Sequence, residues 1–174
     1  MFELIVAHDN ELGIAKNGTI PWNIKGDMKF FREKTINNAV IMGKNTFFSL
    51  PRLQPLPKRL NIVLTRTPEM YKSYEEMYAN IFFTSDENIH LVLENNREMF
   101  SKKYNINPEF TIFFIGGSEI YKKCAPICDT LWITKINKVC DCDLFLSVDV
   151  NEKKYNAETI VKNDDFTITK FEKK

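Results

Sequence analysis

Short apolar runs alternate along the chain with segments in which apolar residues recur every three or four positions. The runs predict strands at residues 4–7, 39–42, 61–65, 81–84, 111–115 and 130–136. The periodic segments predict helices at residues 25–35, 44–49, 86–100 and 118–124, and Thr67-Pro68 is typical of a further helix start. Strands separated by helices are typical of βαβ units, so we expect an α/β fold with a mostly parallel central sheet and helices on both faces.

Two parts of the chain break this alternation. Residues 11–19 contain Gly13 and Gly18 and predict a loop after the first strand. Near the C-terminus, residues 155–159 and 166–171 alternate apolar and polar side chains, which predicts an antiparallel pair near the edge of the sheet. No repeat, low-complexity segment or Pro- or Ser-rich linker divides the sequence, so we expect residues 1–174 to form a single domain.

The composition is ordinary for a soluble globular protein, with 44% hydrophobic and 27% charged residues. The 24 basic and 23 acidic residues give a formal net charge of +1, so we expect neither nucleic acid nor a membrane surface as a partner. No apolar run approaches the roughly 20 residues needed to span a bilayer. The apolar N-terminus lacks a basic leader, which favours a cytoplasmic location.

The cysteines could form a metal site or remain reduced thiols. Cys124 and Cys128 have helical spacing, whereas Cys140 and Cys142 are spaced as on one face of a strand. These spacings do not match a standard zinc motif, and neither histidine is close to them in the sequence. We therefore predict reduced thiols and no metal site.

Three predicted strand-to-helix turns carry residues suited to phosphate binding: Gly43 with Lys44, Thr65 with Arg66, and Gly116 with Gly117. A glycine lets the backbone approach a ligand, a helix start offers free N–H groups, and an arginine can bind a phosphate through two hydrogen bonds. Taken singly, the first two turns are better explained by an ordinary helix start and a surface arginine, and the third could be a tight turn that needs glycine. The G-x-G-x-x-G fingerprint is absent. Together, at equivalent ends of parallel strands, they indicate a dinucleotide, and the two cations favour NADP over NAD.

One carboxylate lies on an apolar face of the first predicted helix. Ile24, Asp27, Met28 and Phe31 are spaced at i, i+3, i+4 and i+7, so they share that face. A buried carboxylate needs a partner, and no Lys or Arg lies on the same face, which suggests a cationic or hydrogen-bond-donating ligand. On spacing alone, a solvated acid that stabilises the helix dipole is the simpler interpretation.

With these motifs in order along most of the chain, the sequence resembles the dihydrofolate reductase family. The matching residues are residues 4–7, Gly13-Ile14-x-x-Asn17-Gly18, Ile20-Pro21-Trp22-Asn23, Asp27, Phe31, Thr35, Val40-Ile41-Met42-Gly43-Lys44-x-Thr46, Pro55-Leu56, Arg59, residues 61–66, Ile115-Gly116-Gly117-Ser118-x-Ile120-Tyr121, Thr134, Asp143 and Phe145. The Pro-Trp pair with a downstream acid, joined to Ile-Met-Gly and Ile-Gly-Gly, is highly specific. The resemblance implies a three-layer fold with about eight strands in the central sheet.

The resemblance also implies an NADPH-dependent oxidoreductase, acting as a monomer, that reduces 7,8-dihydrofolate to 5,6,7,8-tetrahydrofolate for one-carbon metabolism and thymidylate synthesis. Hydride would pass from the nicotinamide C4 to the pterin C6. Asp27 would hold the 2-amino group and N3 of the pterin and promote protonation of N5 through water. Trp22 would order that water, Thr134 would hydrogen-bond to Asp27, and Tyr121 would lie near the nicotinamide.

Further roles follow from the matched positions. Arg59 would bind the glutamate α-carboxylate, with Arg32 and Arg52 as alternatives for this contact. The rings of the substrate would be lined by Ile5, Val6, Met28, Phe31, Leu50 and Ile115. NADPH would contact Ala7, Ile14, Asn17, Gly18, Gly43, Lys44, Asn45, Thr46, Leu64, Thr65, Arg66, Gly116, Gly117, Ser118, Glu119, Ile120 and Tyr121, with its 2′-phosphate at Lys44, Thr65 and Arg66.

Some positions depart from the family pattern. Residues 12–22 resemble a mobile lid over the nicotinamide, in which Ala15 replaces a frequent glycine. Residues 143–147 lack the Thr and Pro often present, so the sequence leaves open how the lid is supported. Phe47 replaces a more usual tryptophan, which should affect packing only, and the Gly116–Gly117 bond is expected to be cis. The chain ends soon after Glu172, so no thymidylate synthase domain is expected.

Two other functions remain open. A reductase of the same fold from riboflavin synthesis, which acts on a pyrimidine sugar phosphate with NADPH, would explain the cofactor turns. It would not explain Trp22, Asp27 and Arg59 together. A non-catalytic pterin- or nucleotide-binding relative of the enzyme would have no need of an intact Asp27.

Overall fold

The computed structural model describes residues 1–174 and contains ten strands, six α-helices and three 3-10 helices. The strands are β1 Phe2–His8, β2 Gly13–Ala15, β3 Ala39–Gly43, β4 Leu60–Leu64, β5 Ile81–Thr84, β6 Ile112–Phe114, β7 Thr130–Ile136, β8 Leu144–Phe145, β9 Tyr155–Lys162 and β10 Phe166–Lys173. The α-helices are α1 Lys25–Thr35, α2 Lys44–Phe48, α3 Lys72–Met77, α4 Ile89–Asn95, α5 Arg97–Tyr104 and α6 Ser118–Cys124. The 3-10 helices are Pro51–Leu53, Pro68–Tyr71 and Ala125–Ile127.

Eight strands form one sheet in the order β5-β4-β3-β6-β1-β7-β10-β9. The strands from β5 to β7 in this order pair in parallel, whereas β10 pairs antiparallel with β7 and with β9. The predicted α/β fold, its mostly parallel sheet and its antiparallel C-terminal edge are confirmed. Because β6 lies between β1 and β3, the carboxyl ends of these three strands adjoin, which is where ligands bind in such sheets.

Two apolar clusters cover the two faces of the sheet, which explains why the central strands are continuous apolar runs. The larger cluster has 22 buried residues, including Leu4 and Ile41, and the second has 10, including Ile5 and Val40. Consecutive residues of one strand thus belong to different clusters, because side chains alternate between the faces of a sheet. The strands are therefore held by burial on both sides, and their carboxyl ends are well positioned to support a site.

Phe47 is fully buried in the second cluster, with its ring 5.3 Å from that of Tyr74 and 5.6 Å from that of Phe83. We expect Phe47→Ala to lower the free energy of unfolding by about 3–5 kcal/mol, because it leaves a cavity in a closely packed core. Chemical denaturation measures the change, and Phe145→Ala is the control because Phe145 is 49% exposed. Similar losses for both variants would contradict a packing role specific to Phe47.

Three local predictions are wrong. The single helix predicted at residues 86–100 is divided into α4 and α5 at Asn96, which has non-helical dihedral angles. The Asn96 side chain donates to the carbonyl oxygen of Val92 at 2.8 Å, and such bonds compete with the helix backbone. Thr67 makes no capping hydrogen bond, and Pro68 begins a 3-10 helix instead of an α-helix. Residues 11–19 are not all loop, because they contain β2, which pairs antiparallel with β8.

The cysteines are free thiols, but two aspects of their predicted placement are wrong. Cys124 ends α6 and Cys128 lies outside it, because Pro126 lacks the N–H that would continue the helix. Cys140 and Cys142 lie outside the strands, since the residue between them has a φ of 48°. Among the helices, none combines the length and the apolar character that crossing a bilayer requires.

Candidate functional site

The first and third turns meet at the carboxyl ends of β3 and β6. The backbone N–H of Gly43 donates to the carbonyl oxygen of Gly116 at 2.8 Å. A Cβ atom added to Gly117 would lie 3.6 Å from Thr46 Oγ1, and one added to Gly116 would lie 3.0 Å from the ring of Tyr121. Gly116 has a φ of 112°, and its peptide bond to Gly117 is cis, as expected. Glycine is therefore needed at Gly116, where the turn passes closest to α6.

The second turn lies beside the first because β4 pairs in parallel with β3, with Leu64 opposite Gly43. Lys44 and Thr65 directly follow these two residues. The side chains of Lys44 and Arg66 are exposed and form no ion pair within the protein. The three turns thus form one edge that carries two free cations, as an anionic ligand requires.

The remaining residues predicted to contact NADPH are distributed over β1, β2 and the loop after it, α2 and α6. Ala7 is near the end of β1, and Ile14 is buried in β2. Asn17 and Gly18 lie in the exposed loop that follows β2. Asn45 and Thr46 are on α2, and Ser118, Glu119, Ile120 and Tyr121 begin α6, which no side chain caps.

Asp27 lies in the first turn of α1 and is half-buried. Burial raises the pKa of its carboxyl group, and the nearby side chains of Trp22 and Thr134 partly oppose this shift. Trp22 is 6% exposed, and its buried Nε1 has no hydrogen-bond partner within the protein. No Lys or Arg forms an ion pair with Asp27. The helix, the loop before it and β7 thus bring a carboxylate without a cation together with two hydrogen-bond donors.

The hydroxyl group of Tyr121 lies 3.0 Å from the carbonyl oxygen of Ile5 and 2.8 Å from that of Ile115. Tyr121 therefore links α6, which begins directly after the glycine pair, to β1 and to the end of β6. Burial raises the pKa of this phenol far above its ordinary value, and the negative charge of Asp27 adds to the shift. The hydroxyl group stays protonated and holds the backbone of both strands in place.

Apolar side chains surround this arrangement. Ile5 and Ile115 are buried, Phe31 and Leu50 are half-buried, and Met28 is 56% exposed. Val6 is also buried, but its side chain packs in the larger cluster, on the face of the sheet opposite to Ile5 and Phe31, and not in the predicted substrate wall. Met28 is on the helix that carries Asp27 and Phe31. A large exposed apolar side chain beside a half-buried acid indicates an apolar surface open to a ligand.

Arg59 is 4% exposed and has no acidic partner. Its Nε donates to the carbonyl oxygen of Pro57 and its Nη1 to Thr35 Oγ1, both at 3.0 Å. Burial lowers the pKa of the guanidinium to about 10, and the charge of Arg32 adds to this effect. A buried cation without a counter-ion is costly, so Arg59 is suited to an external anion. Arg32 and Arg52 are exposed instead.

The hydroxyl group of Thr35 is a functional feature that sequence reasoning missed. Thr35 is fully buried, and its Oγ1 donates to the carbonyl oxygen of Phe31 at 2.8 Å while it accepts from Arg59. Its role was not visible in the helical pattern, because the partner lies 24 residues away in the chain. Thr35 orients the guanidinium and ties it to the helix that carries Asp27.

The segment predicted as a lid is held by residues 140–146. Asn17 N donates to Asp143 Oδ2 at 2.9 Å, and Asp143 N donates to the carbonyl oxygen of Ala15 at 3.0 Å. Leu146 N donates to the carbonyl oxygen of Leu12 at 2.8 Å. The lid is therefore supported mainly by backbone hydrogen bonds, which do not depend on the Thr and Pro missing from residues 143–147.

Comparison with known proteins identifies the family of this chain. The family model described as "Dihydrofolate reductase" matches residues 1–172. A putative dihydrofolate reductase of Caenorhabditis elegans is 37% identical, with 93% of this chain and 87% of that protein covered. The dihydrofolate reductase of Drosophila melanogaster is 34% identical, with 83% of this chain and 78% of that protein covered.

A longer relative and a solved structure support the same family. A bifunctional dihydrofolate reductase-thymidylate synthase of Zea mays is 33% identical over 83% of this chain, but the chain spans only 28% of that protein. The structure of a dihydrofolate reductase from Enterococcus faecalis, complexed with NADP(H) and RAB-propyl, superposes with a TM-score of 0.74 at 25% identity. It covers 99% of this chain and 96% of that one. The chain therefore belongs to the dihydrofolate reductase family.

Proposed function

We propose that this protein reduces 7,8-dihydrofolate to 5,6,7,8-tetrahydrofolate with NADPH. The observation that carries the proposal is that Asp27 and Arg59, two charged side chains without a counter-ion in the protein, lie at the two ends of one face of α1. Asp27, Phe31 and Thr35 are spaced at i, i+4 and i+8, so the acid and the threonine that holds Arg59 are about 12 Å apart on the same face. Dihydrofolate has a hydrogen-bond-donating pterin at one end, aromatic rings in the middle and a carboxylate at the other end. Its groups complement this face in order.

At one end of the cleft, Asp27 accepts hydrogen bonds from the 2-amino group and N3 of the pterin. These donors replace the cation that the protein does not supply. The unpaired Nε1 of Trp22 is suited to hold a water molecule near Asp27, and through that water the proton reaches N5. The raised pKa of Asp27 supports this role, because a proton-relaying group works best when its pKa is closer to the working pH.

At the other end, Arg59 binds the α-carboxylate of the glutamate through two charge-assisted hydrogen bonds. Thr35 and the carbonyl oxygen of Pro57 hold the guanidinium in position before the substrate arrives. Ile5, Met28, Phe31, Leu50 and Ile115 line the space between the two ends, whereas the side chain of Val6 packs on the opposite face of the sheet. The apolar walls exclude water from the pterin and strengthen its interaction with Asp27.

NADPH supplies the hydride, which passes from the nicotinamide C4 to the pterin C6. Lys44, Thr65 and Arg66 bind its 2′-phosphate, and Gly116 to Tyr121 bind the pyrophosphate. Ala7, Ile14 and Thr46 line the nicotinamide, while Asn17, Gly18, Gly43, Asn45 and Leu64 complete the contacts. The two free cations and the close glycine turns fit this cofactor, and the E. faecalis relative was solved with NADP(H). In the cell, the protein acts as a cytoplasmic monomer that supplies tetrahydrofolate for one-carbon metabolism and thymidylate synthesis.

The test is to mix the purified protein with NADPH and dihydrofolate and to follow the absorbance of the reduced nicotinamide. We expect turnover with NADPH and a lower kcat/KM with NADH, because NADH gives Lys44 and Arg66 no 2′-phosphate to bind. Turnover with a pyrimidine ribitol phosphate but not with dihydrofolate would favour the reductase of riboflavin synthesis. Tight NADPH binding without turnover would favour a non-catalytic relative.

A further inference from the structure

Asp9 is a buried acid that the proposed mechanism does not use. It follows β1 and is 1% exposed. Its Oδ1 accepts from the backbone N–H of Glu11 at 2.9 Å and of Gly13 at 2.8 Å, and its Oδ2 accepts from the backbone N–H of Cys140 at 2.9 Å. One carboxylate thus binds two segments that are 131 residues apart in the chain.

The hydrogen bonds explain why a charge is stable in this place. Burial raises the pKa of Asp9, but the backbone N–H groups of Cys140, Gly13 and Glu11 and the thiol of Cys142 outweigh this effect and lower the pKa below its ordinary value. Asp9 is therefore ionised at neutral pH. Its two oxygens are needed together, because one binds the segment after β1 and the other binds the turn around Cys140.

The two segments are in direct contact at this point. A Cβ atom added to Gly13 would lie 2.4 Å from Cys142 Cβ and 3.0 Å from Asp9 Oδ1, so only glycine fits. The carbonyl oxygen of Asp9 also accepts a hydrogen bond from Leu12 N at 3.1 Å, and the backbone N–H of Asp9 donates to the carbonyl oxygen of Gly13 at 2.8 Å. Asp9 and Gly13 therefore determine how closely residues 11–18 approach residues 138–143.

We infer that Asp9 is a positioning residue of the active site: its carboxylate holds residues 11–18 against the turn at Cys140 and so sets the position of Ile14, Asn17 and Gly18 over the nicotinamide. The inference rests on the proposed function for the role of these three residues. Backbone hydrogen bonds of Asp143 and Leu146 and the carboxylate of Asp143 also attach this segment, but Asp143 is exposed, so Asp9 supplies the buried carboxylate among these attachments. Asp9 does not touch substrate or cofactor and acts through the segment that it holds.

The test compares Asp9→Asn with Asp149→Asn. Asp149 is a matched control, because it also accepts hydrogen bonds from a backbone N–H and from side chains but is exposed and bonded only to Asn151 and Lys154. Asp9→Asn keeps the shape but places an NH₂ group against one of the backbone N–H groups. We expect single-turnover hydride transfer to slow by about 10- to 100-fold with the KM for dihydrofolate within about twofold, because the reacting groups are misplaced and the substrate contacts remain. Asp149→Asn should leave both unchanged.

Amide hydrogen exchange gives a second readout that needs neither cofactor nor turnover. In Asp9→Asn, the amides of Glu11, Gly13 and Cys140 should exchange faster, whereas those of the central strands should change little. Two further variants change the same contact in other ways. Asp9→Ser keeps one acceptor and should have a smaller effect, and Gly13→Ala should slow hydride transfer with Asp9 intact.

The outcomes separate the inference from the proposed function. Lower global stability with hydride transfer within about twofold of the native rate would assign Asp9 a purely structural role. Unchanged exchange at Glu11, Gly13 and Cys140 would also overturn the inference. Native protein that shows no NADPH-dependent reduction of dihydrofolate would overturn the proposed function, and the exchange measurement would still decide whether Asp9 holds the segment.

Discussion

We expect Asp27→Asn to lower kcat with dihydrofolate at neutral pH by about 100- to 10,000-fold, the range for loss of a positioned proton-transfer group. The amide still fits the site and keeps its place near Trp22 and Thr134, but it cannot promote protonation of N5. The affinity for NADPH should stay within about twofold, because no predicted cofactor contact involves Asp27. Steady-state kinetics and a separate cofactor titration measure the two effects.

The pH dependence makes this prediction specific. In acid the substrate is protonated without help, so the rate of Asp27→Asn should rise by about tenfold for each unit that the pH falls. Glu33→Gln is a suitable control, since Glu33 lies on the same helix but is exposed and paired only with Lys29. A pH–rate profile of Asp27→Asn parallel to that of the native protein would remove Asp27 from the proton path.

The same substitution should not destabilise the protein at neutral pH. The pKa of Asp27 is raised in the folded state, so the folded protein binds this proton more tightly than the unfolded chain. Ionisation of Asp27 therefore reduces the free energy of unfolding as the pH rises from the ordinary carboxyl pKa of 3.8 through the higher pKa of the folded state. Asp27→Asn removes this cost, so denaturation at neutral pH should show equal or higher stability, and the difference should vanish in strong acid.

The second large effect concerns Arg59. We expect Arg59→Ala to raise the KM for dihydrofolate by about 10- to 100-fold with kcat within a few-fold, because two charge-assisted hydrogen bonds to the carboxylate are lost at a distance from the reacting atoms. A dihydropterin without the glutamate is the best comparison. Its KM should be the same for the native protein and for Arg59→Ala.

The neighbouring arginines are internal controls. Arg32→Ala and Arg52→Ala should each change the KM by less than about threefold, because both side chains are exposed and contacts made in water contribute little. A larger effect in either of these variants than in Arg59→Ala would move the carboxylate contact to that arginine. Arg59→Lys should recover only part of the affinity, since an ammonium group cannot form the two parallel hydrogen bonds of a guanidinium.

The fold could be predicted well from local patterns. The bounds of α1, β5, α6 and β7 agree with the predicted ranges, because the period of apolar residues follows directly from which faces are buried. The failures occurred where short polar interactions override the period. Asn96 interrupts a helical pattern, and residues 13–15 form a strand only because β8 is available to pair with them. Neither event has a signature in the apolar pattern.

The candidate site was predictable in part. Its residue types and their order could be assigned through the resemblance, and the structure brings the three turns to one edge of the sheet. On spacing alone Asp27 was more simply a solvated acid. Its half-burial, its raised pKa and the absence of a cationic partner are properties of the assembled cleft.

Most of the elements, the fold class and the family follow from the sequence alone, because these depend on periodicity and on motifs that are contiguous or nearly so. Which polar groups become buried without a partner depends on the tertiary structure. Arg59 is held by Thr35 from 24 residues away, and Asp9 binds Cys140 from 131 residues away. Such contacts form when distant segments meet, and the loss of water there strengthens each hydrogen bond and makes each unpaired polar group costly. The sequence therefore specified which groups are present, and folding decided which of them need a ligand.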